Sequence, residues 1–271
     1  IEEDVLWQSM GAPLVRFLPQ NIRQIAQHGF TEMVNNVRDH SQSPIAHIEL
    51  IRTPAMLKIG VLDIGIGIFE KIRSYAGLET AAEAVFELSK GKFTTDPTRH
   101  SGEGIFFTSR IFDEFGIISR SLYFSHDQGE SDWLLESKEK NIVGTSVHMS
   151  ISPLSARKME DVYNKYATSP EDADFSKTVI AVKLLETASD QLVSRSQAKR
   201  LLARLYKFKE VVLDFQGVDT IGQAFADEIF RVYKMHHPEV RFVPCRMSQP
   251  VERMVTRAQS AYWRQMDSPG V

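Results

Sequence analysis

Apolar residues recur at helical spacing through the first long segment. Ile22, Ile25, Ala26, Gly29, Met33 and Val37 fall on one stripe at 3.6 residues per turn. The pattern predicts a helix over residues 20–40, stopped by Ser41, Ser43 and Pro44. Residues 46–51 and 56–62 then alternate apolar and polar, which predicts paired strands joined around Thr53-Pro54. The turn Asp63-Ile64-Gly65-Ile66-Gly67-Ile68 follows, then a helical patch over 79–89. Residues 90–101, rich in Gly, Thr, Pro and basic side chains, predict a mobile loop. Gly102-Glu103-Gly104 opens a helix over 105–115, and strand-like runs cover 116–124, 132–136 and 142–151. Strands grouped at the end, rather than alternating with helices, predict an α+β domain with helices on one sheet face.

The period changes after a polar, proline-bearing stretch. Strands are predicted at 178–184, 211–215 and 240–243, and helices at 194–206, 223–236 and 250–260. Alternation of this kind over about 100 residues predicts a small α/β unit. The expected organisation is a leading segment 1–19, a first domain 20–152, a linker 153–174 and a second domain 175–271.

Composition narrows the picture. The chain has 271 residues, 42% hydrophobic and 25% charged, enough for one large or two medium cores. A net charge of −3 gives no bulk attraction to nucleic acid. Cys245 is the single cysteine, so no intrachain disulfide can form, and a reducing, cytoplasmic setting is expected. No apolar run approaches the roughly 18 residues that span a bilayer, so no membrane partner is expected.

Three short segments can carry chemistry. Glu32 and Asn36 are one helical turn apart, and Asp39 lies within roughly 60° of both on the helix. Two carboxylates and a carboxamide beside a buried stripe can hold Mg²⁺ and a water next to a phosphate. An amphipathic helix with a solvated polar rim has the same pattern. Asp63, at a strand end before Gly65 and Gly67, can accept from an exocyclic amine such as that of adenine, though Asp-x-Gly-x-Gly is also an ordinary turn. Gly102 and Gly104 precede a helix whose free N–H groups suit phosphate oxygens. The spacing fits neither the Walker loop nor the dinucleotide fingerprint.

In this order, the Glu32/Asn36 helix, Asp63-x-Gly65-x-Gly67, a basic loop and Gly102-x-Gly104 resemble the GHKL ATPase superfamily. That group includes gyrase-type and mismatch-repair ATPases, histidine kinases and anti-sigma serine kinases. The resemblance spans residues 20–152. It implies a Bergerat fold, a layer of helices on a mixed sheet, with ATP and Mg²⁺ as ligands. It further implies Asn36 as the Mg²⁺ ligand, Glu32 as general base, Asp63 as the adenine-reading carboxylate, and Gly65 and Gly67 beneath the base. Gly102 and Gly104 match the phosphate-side glycines, Thr145 matches a threonine near adenine, and residues 90–100 match a lid with Lys92 and Arg99 as candidate γ-phosphate contacts. His40 either shares the histidine of the anti-sigma kinases or caps a helix. His47, in a segment similar to a phosphoacceptor box, is excluded because it follows the Glu32/Asn36 helix and has strand alternation.

Val211-Val212-Leu213-Asp214-Phe215 is similar to the central strand of STAS domains. Gln223 and Ala224 stand where the phosphorylatable serine would be. The segments around Ser194-Arg195-Ser196 and Gly222-Gln223-Ala224 resemble a STAS-like domain of unknown function found behind GHKL modules. The combination implies a regulatory Mg-ATPase whose nucleotide state controls docking of the STAS-like domain, in signalling or transcription. The alternatives are an anti-sigma-type serine/threonine kinase acting on a separate partner, and a nucleotide sensor without turnover. A protein partner or a homodimer through the STAS-like domain is expected, with DNA involved only if a DNA-binding domain lies upstream.

Overall fold

Strand β2 (Leu57–Asp63) alternates strictly: Leu57, Ile59, Val61 and Asp63 are buried, and the residues between them face the other way. It pairs with β1 (Ala46–Arg52) on one side and with β6 (Ile142–Ile151) on the other. Strands β3 (Glu114–Arg120), β4 (Leu122–Asp127) and β5 (Asp132–Glu136) complete a six-stranded sheet in the order β1-β2-β6-β3-β4-β5. The computed structural model describes residues 2–127, 132–137, 142–169, 174–186 and 191–267.

Every neighbouring pair in this sheet is antiparallel, which corrects the expectation of a mixed sheet. Strands β2 and β3 are separated by a helical crossover and both run antiparallel to β6. They therefore point the same way, but β6 lies between them and no parallel ladder forms. Helices cover the face that carries Ile59, Val61, Val147, Met149, Ile117 and Phe124.

The helix Gln20–Asn36 buries Ile22, Ile25, Ala26, Gly29 and Met33 of the predicted stripe together with Phe30 and Val34, while Val37 lies beyond it and is half-buried. Beyond Asn36 the hydrogen-bond ladder widens into a π-turn, Val37–Ser41, which ends at Gln42 with φ 58°. Such insertions locally unwind a helix and often stand at ligand sites.

Three elements differ from the sequence reading. A helix at Ile68–Ala76 was not expected; it buries only Phe69 and Ile72, too few for a visible period, and ends at Gly77 with φ 63°. The run 116–124 is not one strand but parts of β3 and β4, joined at Arg120 and Ser121. Arg120 takes φ 57° without the glycine or asparagine that usually marks such a hairpin. The helix expected over 105–115 is Gly104–Ile111, because the chain turns extended at Phe112.

The chain divides into two units, Ile1–Lys165 and Tyr166–Val271. The stretch 153–174 contains a helix, Met159–Lys165, that belongs to the first unit; residues 170–173 of that stretch lie outside the described residues. The second unit has a three-stranded parallel sheet, β7 (Lys177–Ala181), β8 (Glu210–Asp214) and β9 (Arg241–Cys245), with β8 central. Its core includes Ile180, Leu201, Val211, Leu213, Phe225, Ile229 and Val251. Ser194 and Gln197 form a reciprocal capping box on the helix Arg195–Leu202. The final helix, Gln249–Asp267, extends past the predicted end at residue 260. Among the described residues, no helix is long and apolar enough to cross a membrane.

Candidate functional site

Asp63 is at the end of β2 and is opposite Thr145 of β6 in register. It is 3% exposed, and its Oδ1 accepts the Gly65 N–H at 2.7 Å. Burial pushes its carboxyl above the usual carboxylate range, against hydrogen bonds from Gly65 and Thr145 that favour the charged form. The Thr145 hydroxyl also accepts the N–H of Ile68 at 2.9 Å, tying the start of the Ile68–Ala76 helix to the sheet.

The glycine turn is shaped by close approach. The Gly65 Cα lies against the main-chain carbonyl of Ser41, so that a Cβ there would meet it at 1.9 Å. The same carbonyl accepts the Ile66 N–H at 3.1 Å. The turn is thereby locked to the end of the helix that carries Glu32 and Asn36. Gly67 has φ 86°, a backbone region that disfavours any side chain.

These elements wall a cavity of about 360 Å³. Glu32, Asn36, Asp63, Gly67, Arg99, Gly102, Gly104 and Thr145, eight of the residues expected from the sequence, line it. Gly65 does not line it and acts through the packing just described. Lys92 does not line it either. The chain turns at Lys92 with φ 54°, and its neighbour Phe93, only 9% exposed, faces the cavity instead.

At the far end from Asp63, the Gly104 Cα abuts the Glu32 carboxylate, and a Cβ there would stand 1.9 Å from Oε2. Burial raises the Glu32 carboxyl above its usual range, while the nearby His100 partly offsets it. Asn36 Nδ2 leans on Met33 Sδ at 3.9 Å, leaving the amide oxygen as its stronger ligand atom. Gly102, with φ 76°, packs on the backbone of Phe93, so the two ends of the loop 93–102 meet. Lys90, at the start of the basic segment, is fully buried and bonds Glu87 at 2.5 Å, so it is part of the interior and not of a solvated loop.

The structure adds wall residues that the sequence reading did not name. His28 is one turn before Glu32 and so shares its face. Its Nε2 is buried without a hydrogen-bond partner among the described residues, and burial pulls its pKa down to about 4. That spacing was visible in the sequence. Lys71 lines the cavity and donates from Nζ to the His40 carbonyl at 2.7 Å; burial lowers its pKa. His40, whose role the sequence left open, lines the wall together with His100, their ring centroids 4.8 Å apart. Asp39 is not a wall residue: Arg38 holds it at 2.9 Å and keeps its carboxyl low, and His100 Nε2 lies 3.4 Å from its Oδ2. Tyr163, from the Met159–Lys165 helix, completes the wall, and no motif in the sequence marked it.

Chemically the cavity has a buried acceptor at one end. Elsewhere the wall has oxygen ligands of the kind a hard cation takes, next to glycines at a helix start, together with the cationic side chains of Lys71 and Arg99. Residues 197–252 match the family model of the STAS-like domain of unknown function (DUF4325), so the second unit contains a STAS-like domain. No curated protein matches the chain.

Proposed function

We propose that the first unit is a GHKL-type, Bergerat-fold module that binds Mg-ATP and hydrolyses it slowly, and that its nucleotide state is passed on through the STAS-like domain. One observation carries this reading. Glu32, Asn36, Asp63, Gly67, Gly102, Gly104 and Thr145, scattered along the first unit, line one cavity, and such chemistry needs a set of this kind.

Asp63 takes the exocyclic amine of adenine, held in place by Gly65 and Thr145. Gly102 and Gly104 let the backbone approach phosphate oxygens at the start of the Gly104–Ile111 helix. The donor set fits Mg²⁺, a hard cation that prefers oxygen, through the Asn36 amide oxygen. The metal's contribution is to neutralise phosphate charge. Burial raises the Glu32 carboxyl pKa, which makes it a stronger base towards a water proton. Arg99, on the loop, adds positive charge over the cavity.

The test uses the full chain, labelled ATP and Mg²⁺. Wild type is expected to release phosphate slowly. Glu32→Ala is expected to keep nucleotide binding and lose turnover, and Asp63→Asn to lose ATP binding while GTP binding stays absent. Unchanged turnover in Glu32→Ala removes the general base. Label on a partner protein in place of free phosphate would identify a serine/threonine kinase, and tight binding with no turnover over hours a sensor.

A further inference from the structure

The Met159–Lys165 helix is the last element of the first unit, and the chain runs directly from Lys165 into the second. The segment leading to it is stapled to both helices of the site. Asn21 Nδ2 donates to the Ser155 and Arg157 carbonyls, each at 2.9 Å. Arg157 bonds Asp113 at 3.0 Å and the Arg110 carbonyl at 3.0 Å, and the Ser152 N–H bonds Asp113 at 2.7 Å. Asn21 is in the helix that carries Glu32 and Asn36, and Arg110 is in the one that begins at Gly104.

So fixed, the helix places Tyr163 in the cavity wall. Its ring lies 4.4 Å from that of Phe107, between centroids, and is 37% exposed. Among the described residues, its hydroxyl has no hydrogen-bond partner. Burial and the charges of Glu32 and Glu103 raise its pKa, which keeps the phenol protonated and able to donate. The Glu32 and Glu103 carboxylates repel phosphate oxygens, so a neutral donor beside them is the kind of group that can still bind one.

We infer that Tyr163 is a ligand-binding residue at the terminal-phosphate end of the cavity, and that occupancy of the site is thereby felt by the helix leading into the STAS-like domain. This rests on the proposed nucleotide site and adds to it the residue that distinguishes ATP from ADP.

Tyr163→Phe keeps the ring on Phe107 and removes only the hydroxyl, so the fold is retained. Calorimetry on the full chain with Mg²⁺ and either ADP or a non-hydrolysable ATP analogue reads the effect. The variant is expected to bind the analogue about tenfold more weakly, the loss of one hydrogen bond to a charged group, and ADP within about twofold of wild type. Hydrogen exchange is expected to slow across residues 159–165 when the analogue, but not ADP, is added to wild type, and not to slow in Tyr163→Ala. Equal affinity of wild type and Tyr163→Phe for the analogue, an equal loss for ADP, or exchange indifferent to nucleotide overturns the inference and leaves the site standing. Failure of wild type to bind any adenine nucleotide takes down both.

Discussion

Gly65→Ala and Gly104→Ala form a matched pair. In each, the new Cβ would stand 1.9 Å from an oxygen, the Ser41 main-chain carbonyl in one case and Glu32 Oε2 in the other. Neither glycine has a positive φ, so the backbone conformation adds no cost. The overlaps are equal, and what can yield differs. The Ser41 carbonyl is fixed at the end of the π-turn and accepts the Ile66 N–H. Relieving that overlap moves main chain by roughly 1 Å; overpacking of about 1–3 kcal/mol and a weakened hydrogen bond of about 1 kcal/mol add to roughly 2–4 kcal/mol. For a unit of this size that lowers the melting temperature by roughly 5–15 °C. The Glu32 carboxylate, by contrast, is the far end of a flexible side chain and can swing aside. Alanine is also the better helix former, by up to about 1 kcal/mol, so Gly104→Ala is expected to leave stability within about 1 kcal/mol of wild type. Its effect falls on chemistry: a carboxylate displaced by about 1 Å loses on the order of 100-fold as a catalytic base. Urea unfolding followed by the fluorescence of Trp7, 3% exposed in the first unit, measures stability, and phosphate release measures turnover. The reasoning fails if Gly104→Ala is as destabilised as Gly65→Ala. It fails for Glu32 in particular if Gly104→Ala is stable and turns over ATP at the wild-type rate.

Two further outcomes follow from buried charge. His28 has a folded-state pKa of about 4, below its ordinary value near 6.5, so between those pH values the unfolded chain binds the extra proton. Its contribution is therefore fully present above pH 6.5 and is lost as pH falls, by roughly 2 kcal/mol at pH 5. In urea titrations at pH 7 and pH 5, His28→Gln is expected to lose less stability on acidification than wild type by about that amount, and an identical loss would refute the burial argument. In the second unit, Arg246 makes a two-pronged ion pair with the buried Asp214, whose Oδ1 also accepts the Gln216 N–H. Arg246→Ala is expected to destabilise that unit by about 1–3 kcal/mol. Because Arg246 has φ 52°, Arg246→Gly is expected to be the better tolerated of the two, by about 1 kcal/mol. Calorimetric unfolding that shows no difference from wild type in either variant would refute the pairing.

The sequence determined what local chemistry determines. A 3.6-residue stripe placed Glu32 and Asn36 on one helix, strand alternation placed Asp63 at the end of β2, and a shift to alternating strands and helices marked a second unit whose 197–252 segment matches a STAS-like domain. It also left Glu32 and Asn36 as a polar rim that could equally face solvent. Only the tertiary structure joined them to Gly104 and Thr145, because β6, the last strand of the sheet in sequence, is inserted between β2 and β3. The antiparallel character of the sheet depended on that same insertion, which no local pattern encodes. Lys92 and Phe93 show the limit most plainly: they are adjacent in a basic loop, only Phe93 lines the cavity, and Lys92 takes a positive φ that no glycine marked. Tyr163 had no signal at all, since its place in the wall depends on Asn21 and Asp113 holding a segment more than a hundred residues from Glu32 in the chain. Periodicity reports what each segment buries; which segments meet is decided by long-range packing.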